Sequence, residues 1–126
     1  MAVPTYRDAL RLRPDDAALH IQFSTVLRES SDLGGSVAEA REAVRLAPAN
    51  AEYQRELGNA LFRMGDMQGA QEAYRAGIAQ SGDVITQENL GLTLMRSGDW
   101  KGAAAAFRAV LKKRPESAET GSAPRS

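Results

Sequence analysis

The sequence contains no cysteine and only one histidine, His20. Without cysteine the chain has no disulfide bonds and no thiolate zinc sites, and one imidazole leaves little for acid–base chemistry. No apolar run approaches the roughly 18–20 residues that a membrane-spanning helix needs, so we expect no membrane insertion. Sixteen Lys and Arg balance sixteen Asp and Glu, which argues against a globally basic nucleic-acid-binding protein.

Known catalytic and targeting motifs are also missing. The sequence has no phosphate-binding glycine loop, no His-Glu-x-x-His zinc motif and no calcium loop. Asp15 and Asp16 form a carboxylate pair, but they follow Pro14, where capping of a helix explains them. We therefore expect a protein that is not an enzyme and that holds no cofactor or metal. No signal peptide is visible, so we expect a cytoplasmic location.

The chain repeats itself with a period of 34 and then 33 residues, read from residues 31–36, 65–70 and 98–103. The same register aligns two further sets of residues, which are Ala40, Tyr74 and Phe107 downstream and Leu27, Leu61 and Leu94 upstream. A fixed period of this length is typical of repeat proteins. One such unit cannot bury its apolar face alone, so neighbouring units must stack.

Within each unit, apolar residues recur at spacings of three and four, which predicts two helices per unit. Polar residues that can cap these helices are Asp15 or Asp16, Asn50 and Asp83 for the first helices, and Asp66 and Asp99 for two of the second helices. In the first unit, Gly34 and Gly35 precede the capping box Ser36-x-x-Glu39. The second helix of this unit is therefore predicted to start late, near Val37.

These features resemble the tetratricopeptide repeat. The resemblance is carried by Leu57, Gly58, Leu61, Gly65, Asp66, Ala70 and Tyr74 in the middle unit, and by Leu90, Gly91, Leu94, Gly98, Asp99, Ala103, Phe107 and Pro115 in the third. The aromatic residues Tyr74 and Phe107 are expected to fill the space between one unit and the next. The first unit departs from the family pattern at Ser24, Ser31 and Ser36, so we expect its packing to be the loosest.

The resemblance implies an all-α fold, a right-handed α-solenoid of stacked helix–turn–helix repeats with about seven helices. The predicted repeat domain spans residues 1–115 and is followed by a tail at 116–126, whose composition predicts disorder. The divisions of this domain are a leading half-repeat helix at 2–14 and repeats at 15–48, 49–82 and 83–115.

In this family the first helices of the repeats line a concave surface that binds peptides. The residues that the resemblance places there are Ile21, Thr25, Arg28, Arg55, Asn59, Phe62, Arg63, Glu88, Leu92, Met95 and Arg96. Apolar side chains and arginines are mixed on this surface, which suits a partner peptide with apolar anchors and acidic residues. Alternatively, the arginines pair with glutamates of the same surface, such as Glu29, Glu52 and Glu88.

Some family members bind a terminal carboxylate with a five-residue clamp of basic and asparagine side chains. Arg55, Asn59 and Asn89 lie where the first three groups of that clamp would be, but the last two have no counterpart. A complete clamp is therefore not expected. Trp100, which follows a turn, is expected to serve local packing.

The sequence leaves three functions open. The first is a scaffold, adaptor or co-chaperone-like module that binds a peptide segment in the concave groove. The second is a self-assembly module that forms homo-oligomers through the open ends of the solenoid. The third is an accessory region of a larger enzyme whose catalytic part lies outside this chain.

Overall fold

The structure, a computed structural model, describes residues 2–113, with the side chains described from residue 5 onwards. This part of the chain is all α-helical and confirms the predicted fold class. The predicted tail, together with Pro115, lies outside the described residues. Seven helices follow one another in the order α1 (Ala2–Leu12), α2 (Ala17–Glu29), α3 (Leu33–Leu46), α4 (Ala51–Met64), α5 (Met67–Ser81), α6 (Val84–Arg96) and α7 (Trp100–Lys113).

The helices pack in the order of the chain. The most extensive packing joins α2 to α3, α4 to α5 and α6 to α7, so that these form three helix pairs, and α1 precedes them and packs on α2. Each pair then packs on the next through α3 with α4 and through α5 with α6. One hydrophobic core runs through all three pairs and includes Ala40, Leu61, Tyr74 and Leu94. This continuity is what a stack of repeats requires, because no pair could bury its apolar face alone.

The first helices of the three pairs begin at the predicted caps. Asp16, Asn50 and Asp83 each accept a hydrogen bond from a backbone N–H in the first turn of the helix that follows. Such a bond satisfies one of the amide groups that a helix start leaves without a partner. The sequence placed these starts correctly because a capping side chain acts within its own turn.

The second helix of the first pair corrects the sequence prediction. α3 begins at Leu33, not near Val37, because Asp32 caps it by accepting a bond of 3.0 Å from the amide of Gly35. The two later pairs use the same device, with Asp66 bonded to Gly69 and Asp99 bonded to Gly102, each at 2.9 Å. A Cβ atom at any of these three glycines would lie within 3 Å of the capping carboxylate. Gly35 in the first unit therefore belongs to a helix cap and not to a loose turn.

Aromatic rings pack directly on glycines within the second and third pairs. A Cβ atom at Gly58 would lie 2.5 Å from the ring of Tyr74, and one at Gly91 would lie 2.7 Å from the ring of Phe107. Each ring thus contacts the other helix of its own pair. The prediction that these rings fill the space between successive units misses this contact.

The first pair replaces that ring-on-glycine contact with hydrogen bonds. The Ser24 hydroxyl donates to the Ser36 carbonyl at 2.8 Å, and the Ser36 hydroxyl donates back to the Ser24 carbonyl at 2.8 Å. Both side chains are buried, and their hydroxyl oxygens lie 3.0 Å apart. The serines therefore join α2 to α3 tightly, and the prediction of loose packing is wrong at this point.

His20 of α2 links the turn that precedes its helix to α3 through two hydrogen bonds. Its Nδ1 lies 2.6 Å from Oε1 of Glu39, and its Nε2 lies 2.8 Å from the Pro14 carbonyl oxygen. Because both neighbours are hydrogen-bond acceptors, both ring nitrogens must carry a proton to satisfy them. Burial of the ring opposes this charge, but the bonds to Glu39 and Pro14 outweigh it and raise the pKa of His20.

Candidate ligand-binding groove

The first helices of the three pairs line a continuous groove made of two adjoining cavities. The first cavity has a volume of about 270 Å³ and is lined by Arg28, Asn59, Phe62, Arg63, Tyr74, Asn89 and Leu92. The second has a volume of about 360 Å³ and is lined by Phe62, Leu92, Met95, Arg96 and Trp100. Phe62 and Leu92 belong to both linings, so one apolar patch joins the two cavities.

Seven of the eleven residues that the sequence placed on this surface line the two cavities. They are Arg28, Asn59, Phe62, Arg63, Leu92, Met95 and Arg96. All of them lie in the second half of α2, α4 or α6. The groove is therefore built at the carboxyl-terminal ends of the first helices.

The other four predicted residues lie elsewhere. Ile21 is only 8% exposed and belongs to the hydrophobic core, so its placement in the groove is corrected. The Thr25 hydroxyl donates to the carbonyl oxygen of Ile21 at 3.1 Å. Arg55 bonds to Asp83 beside a separate cavity at the start of α4 and α6. Glu88 is half-buried in α6 and is not among the residues that line the two cavities.

A hydrogen-bond network fixes the polar floor of the groove. Oδ1 of Asn59 accepts from the Tyr74 hydroxyl at 2.6 Å and from Nδ2 of Asn89 at 3.3 Å. These two bonds use the acceptor capacity of that oxygen and turn the amide of Asn59 so that its Nδ2 is left to donate. Burial of the phenol raises the pKa of Tyr74, so the hydroxyl remains a donor at neutral pH.

The arginines fall into two groups. Arg28 bonds to Glu56 at 3.2 Å and Arg55 bonds to Asp83 at 3.0 Å, so carboxylates other than the predicted glutamates neutralise these two. Arg63 and Arg96 form no ion pair with any carboxylate in residues 2–113. The guanidinium of Arg96 instead lies over the ring of Phe62, 5.2 Å from its centroid. The groove therefore has two cations beside its apolar patch.

Asp83 explains why a carboxylate clamp does not assemble. Burial disfavours its charged form, but hydrogen bonds from Thr86 and Arg55 outweigh burial and lower the pKa of Asp83. Asp83 is thus ionised at neutral pH and holds the guanidinium of Arg55. Asn59 and Asn89 are bonded to each other. All three residues that match the clamp positions thus have partners within the chain, and of the two asparagines Asn59 keeps its Nδ2 as a donor.

Sequence reasoning missed two contributors to the groove. The sequence predicts only a packing role for Tyr74, and its ring is buried, but its hydroxyl reaches the groove floor. Trp100 was expected to pack locally, yet it is 65% exposed and lines the second cavity. The sequence signal for Trp100 was its position at the start of α7, shortly after the end of α6. That position places it beside the groove, which lies at the same end of α6.

Comparison with known proteins agrees with this architecture. The sequence profile described as "Tetratricopeptide repeat" matches residues 21–84 and 88–119. The chain belongs to the tetratricopeptide repeat family. As a tetratricopeptide repeat protein it is a right-handed α-solenoid, and its general class is that of protein–protein interaction modules. A search of curated protein sequences found none that matches it.

Solved structures of MamA have the same fold as this tetratricopeptide repeat chain. One MamA crystal structure superposes with a TM-score of 0.84 at 21% identity and covers 90% of this chain and 67% of that one. MamA 41-end from Desulfovibrio magneticus RS-1 gives a TM-score of 0.85 at 23% identity, over 91% of this chain and 66% of that one. The chain thus spans about two thirds of the length of these MamA chains. The likeness shows the fold.

Within residues 2–113, no helix is both long and apolar enough to cross a membrane. The cytoplasmic location that we expect from the sequence stays a prediction.

Proposed function

We propose that this tetratricopeptide repeat chain is a non-catalytic scaffold or adaptor that binds a partner peptide in the groove. The peptide carries a large apolar side chain next to an acidic one. The observation that supports this proposal is the position of Arg63 and Arg96, which have no described carboxylate partner, beside the apolar patch of Phe62 and Leu92.

Each part of the groove has a role in this binding. The apolar side chain of the peptide is buried on Phe62 and Leu92, and its removal from water supplies the main favourable free energy. A neighbouring carboxylate of the peptide pairs with Arg63 or Arg96, which selects acidic over basic sequences. The free Nδ2 of Asn59 donates to a backbone carbonyl of the peptide and fixes its register.

A selection from random peptides displayed on phage tests the proposal without knowledge of the natural partner. The library is selected on the wild-type chain and, in parallel, on Arg63→Glu and on Arg75→Glu. Arg75 is an exposed arginine of α5 that lines neither cavity of the groove, so it is the matched control. We expect wild type and Arg75→Glu to enrich peptides with an acidic residue beside a large apolar one.

Arg63→Glu should lose about tenfold or more in affinity for the enriched peptides, since one charge pair becomes a repulsion. Circular dichroism and thermal unfolding check that all three proteins are equally folded. Peptides that lack acidic residues, or that bind wild type and Arg63→Glu equally, contradict the proposed role of the groove.

Self-assembly through the solenoid ends is the second candidate. Leu12 at the end of α1 is 84% exposed and Leu111 near the end of α7 is 54% exposed, which favours contacts between copies. Sedimentation velocity over a wide range of protein concentration decides it. A mass that rises with concentration, and that falls back to the monomer in Leu111→Asp, supports assembly. A constant monomer mass rejects it.

A further inference from the structure

The last described helix, α7, carries an apolar stripe that is exposed at its two ends. The stripe consists of Trp100, Ala104, Phe107 and Leu111, whose spacings of four, three and four place them on one side of the helix. Trp100 is 65% exposed and Leu111 is 54% exposed. Ala104 and Phe107 are half-buried. We call these four residues the α7 stripe.

The residues at the same register in α5 and α3 are covered within this chain. In α5 the corresponding residues are Met67, Gln71, Tyr74 and Ile78, and in α3 they are Leu33, Val37, Ala40 and Val44. All eight are buried or half-buried. α3 packs on the next helix, α4, and α5 packs on α6. In α5 one of these residues, Gln71, bonds to Ser97 directly after α6 at 3.2 Å. The α7 stripe therefore corresponds to residues that are covered in the two pairs that a further helix follows.

Charge indicates what kind of helix fits. α7 contains four basic residues, Lys101, Arg108, Lys112 and Lys113, and no acidic residue. The ammonium group of Lys113 donates to the carbonyl oxygen of Gly82. The other three side chains are exposed and form no ion pair with a described carboxylate. Each comes one position after a stripe residue, so together they form a basic edge along one side of the stripe. An acidic partner would neutralise this edge.

We infer that the α7 stripe and its basic edge form a docking site for an acidic amphipathic helix of a partner protein. Such a helix presents apolar residues at spacings of three and four to the stripe and acidic residues to the basic edge. It takes the place that α4 takes on α3 and that α6 takes on α5. This surface is separate from the patch of Phe62 and Leu92 and meets the groove only at Trp100.

Two other occupants fit the surface less well. Residues 114–126 of this chain contain no leucine, isoleucine, valine, methionine or aromatic residue, whereas α4 and α6 bury Leu57 and Leu90 in the core. The opposite end of a second copy presents α1, where Arg7 and Arg11 outnumber Asp8. α1 therefore offers no excess of acidic groups to the basic edge, whereas an acidic helix does.

Peptides derived from α6 provide the probe, because α6 already packs on α5, the helix that corresponds to α7. The acidic peptide has the sequence of residues 83–97 with Ile85→Glu, Gln87→Glu, Leu92→Glu and Arg96→Glu. The basic control peptide has lysine at the same four positions. Both keep Thr86, Leu90 and Leu94, which are buried in the native α6. Binding to the whole chain is measured by fluorescence anisotropy of the labelled peptide.

Protein variants then locate the site. Arg108→Glu and Leu111→Asp change exposed residues of α7. Arg75→Glu is the matched control because Arg75 is the corresponding exposed arginine of α5 and lies outside α7. We expect the acidic peptide to bind about tenfold or more tightly than the basic one, with a difference that shrinks as salt is added. Arg108→Glu and Leu111→Asp should each weaken it severalfold, and Arg75→Glu should leave it unchanged.

Four results overturn the inference. These are equal binding of the two peptides, undiminished binding by Leu111→Asp, binding to vesicles containing phosphatidylserine without binding to the acidic peptide, and a concentration-dependent dimer that Leu111→Asp abolishes. The third result assigns the surface to a membrane, and the fourth assigns it to a second copy. Circular dichroism checks each variant, and Arg108→Glu alone tests the site if Leu111→Asp does not fold.

Discussion

At the scale of single residues, Gly58 and Gly34 predict opposite responses to the same substitution. A methyl group at Gly58 would meet the Tyr74 ring at 2.5 Å, whereas one at Gly34 meets nothing within 4 Å. We expect Gly58→Ala to lower the free energy of unfolding by about 1–3 kcal/mol, because the ring must shift in a packed core. Gly34→Ala should raise it by up to about 1 kcal/mol through its higher helix propensity. Urea denaturation measures both.

A second substitution tests whether the Tyr74 ring is the group that a methyl group at position 58 meets. In a Tyr74→Leu background, Gly58→Ala should cost less than it does in the wild type, because the ring that it would strike is gone. Equal costs in the two backgrounds would mean that Gly58 is needed for a reason other than contact with Tyr74.

His20 makes the stability of the chain depend on pH. Its pKa in the folded state is raised above the ordinary value of 6.5, so its charged form stabilises the fold fully at pH values below that figure. The stabilisation is lost as the pH rises through the higher folded-state pKa, because a neutral ring leaves one acceptor unsatisfied. We therefore expect the melting temperature to fall over a pH range that begins near 6.5 and extends above it.

His20→Gln is the control for this pH dependence. The variant cannot gain or lose a proton in that range, so its melting temperature should change less with pH than that of the wild type. Glu39 and Glu42 of α3 both favour the charged ring. A Glu39→Gln variant should therefore reduce the dependence as well. A wild-type melting temperature that rises over this range contradicts a charged His20.

At the scale of the helices, we expect the loss of a capping aspartate to lower the free energy of unfolding equally in different repeats. Asp32 and Asp66 each bond to the amide three residues ahead, at 3.0 and 2.9 Å. Asp32→Ala and Asp66→Ala should each lower the free energy of unfolding by about 1 kcal/mol, as measured by urea denaturation. If Asp32→Ala is neutral while Asp66→Ala is costly, α3 starts later than Leu33, as the sequence alone suggested.

Helix starts show how far local sequence rules reach. A capping side chain and its amide lie in one turn, so Asp16, Asn50 and Asp83 could be read directly. Asp32 is not among the caps that the sequence predicts, because the capping box begins four residues later, at Ser36, and two glycines separate it from Asp32. The structure shows that Gly35 permits the cap, since its lack of a Cβ atom leaves room for the Asp32 carboxylate.

The groove was harder to predict than the helices. Spacing assigns a residue to one face of a helix, but the neighbouring helices decide whether that face is open. Ile21 has the spacing of a groove residue, yet it lies in the core, where α2 also contacts α4. Arg55 lies on a first helix, α4, as the sequence predicts. Its ion pair with Asp83, 28 positions away, could not be predicted because it depends on how two repeats stack.

At the scale of the whole molecule, a net charge of zero conceals an uneven distribution. The sequence total of sixteen basic and sixteen acidic residues gives no hint that α7 has four basic residues and no acidic one. That imbalance appears only when the charges are assigned to helices. It has a consequence only because α7 is the last described helix and its apolar stripe is exposed at its two ends.

The order of packing also has a consequence for how quickly the chain finds its native state. Each described helix packs chiefly on the helix before it and the helix after it, across turns of two to four residues. Contacting residues are therefore close in sequence, and closing the loops between them costs little chain entropy. Proteins with such low contact order fold within microseconds to milliseconds. Folding can begin in any helix pair and spread to its neighbours in either direction.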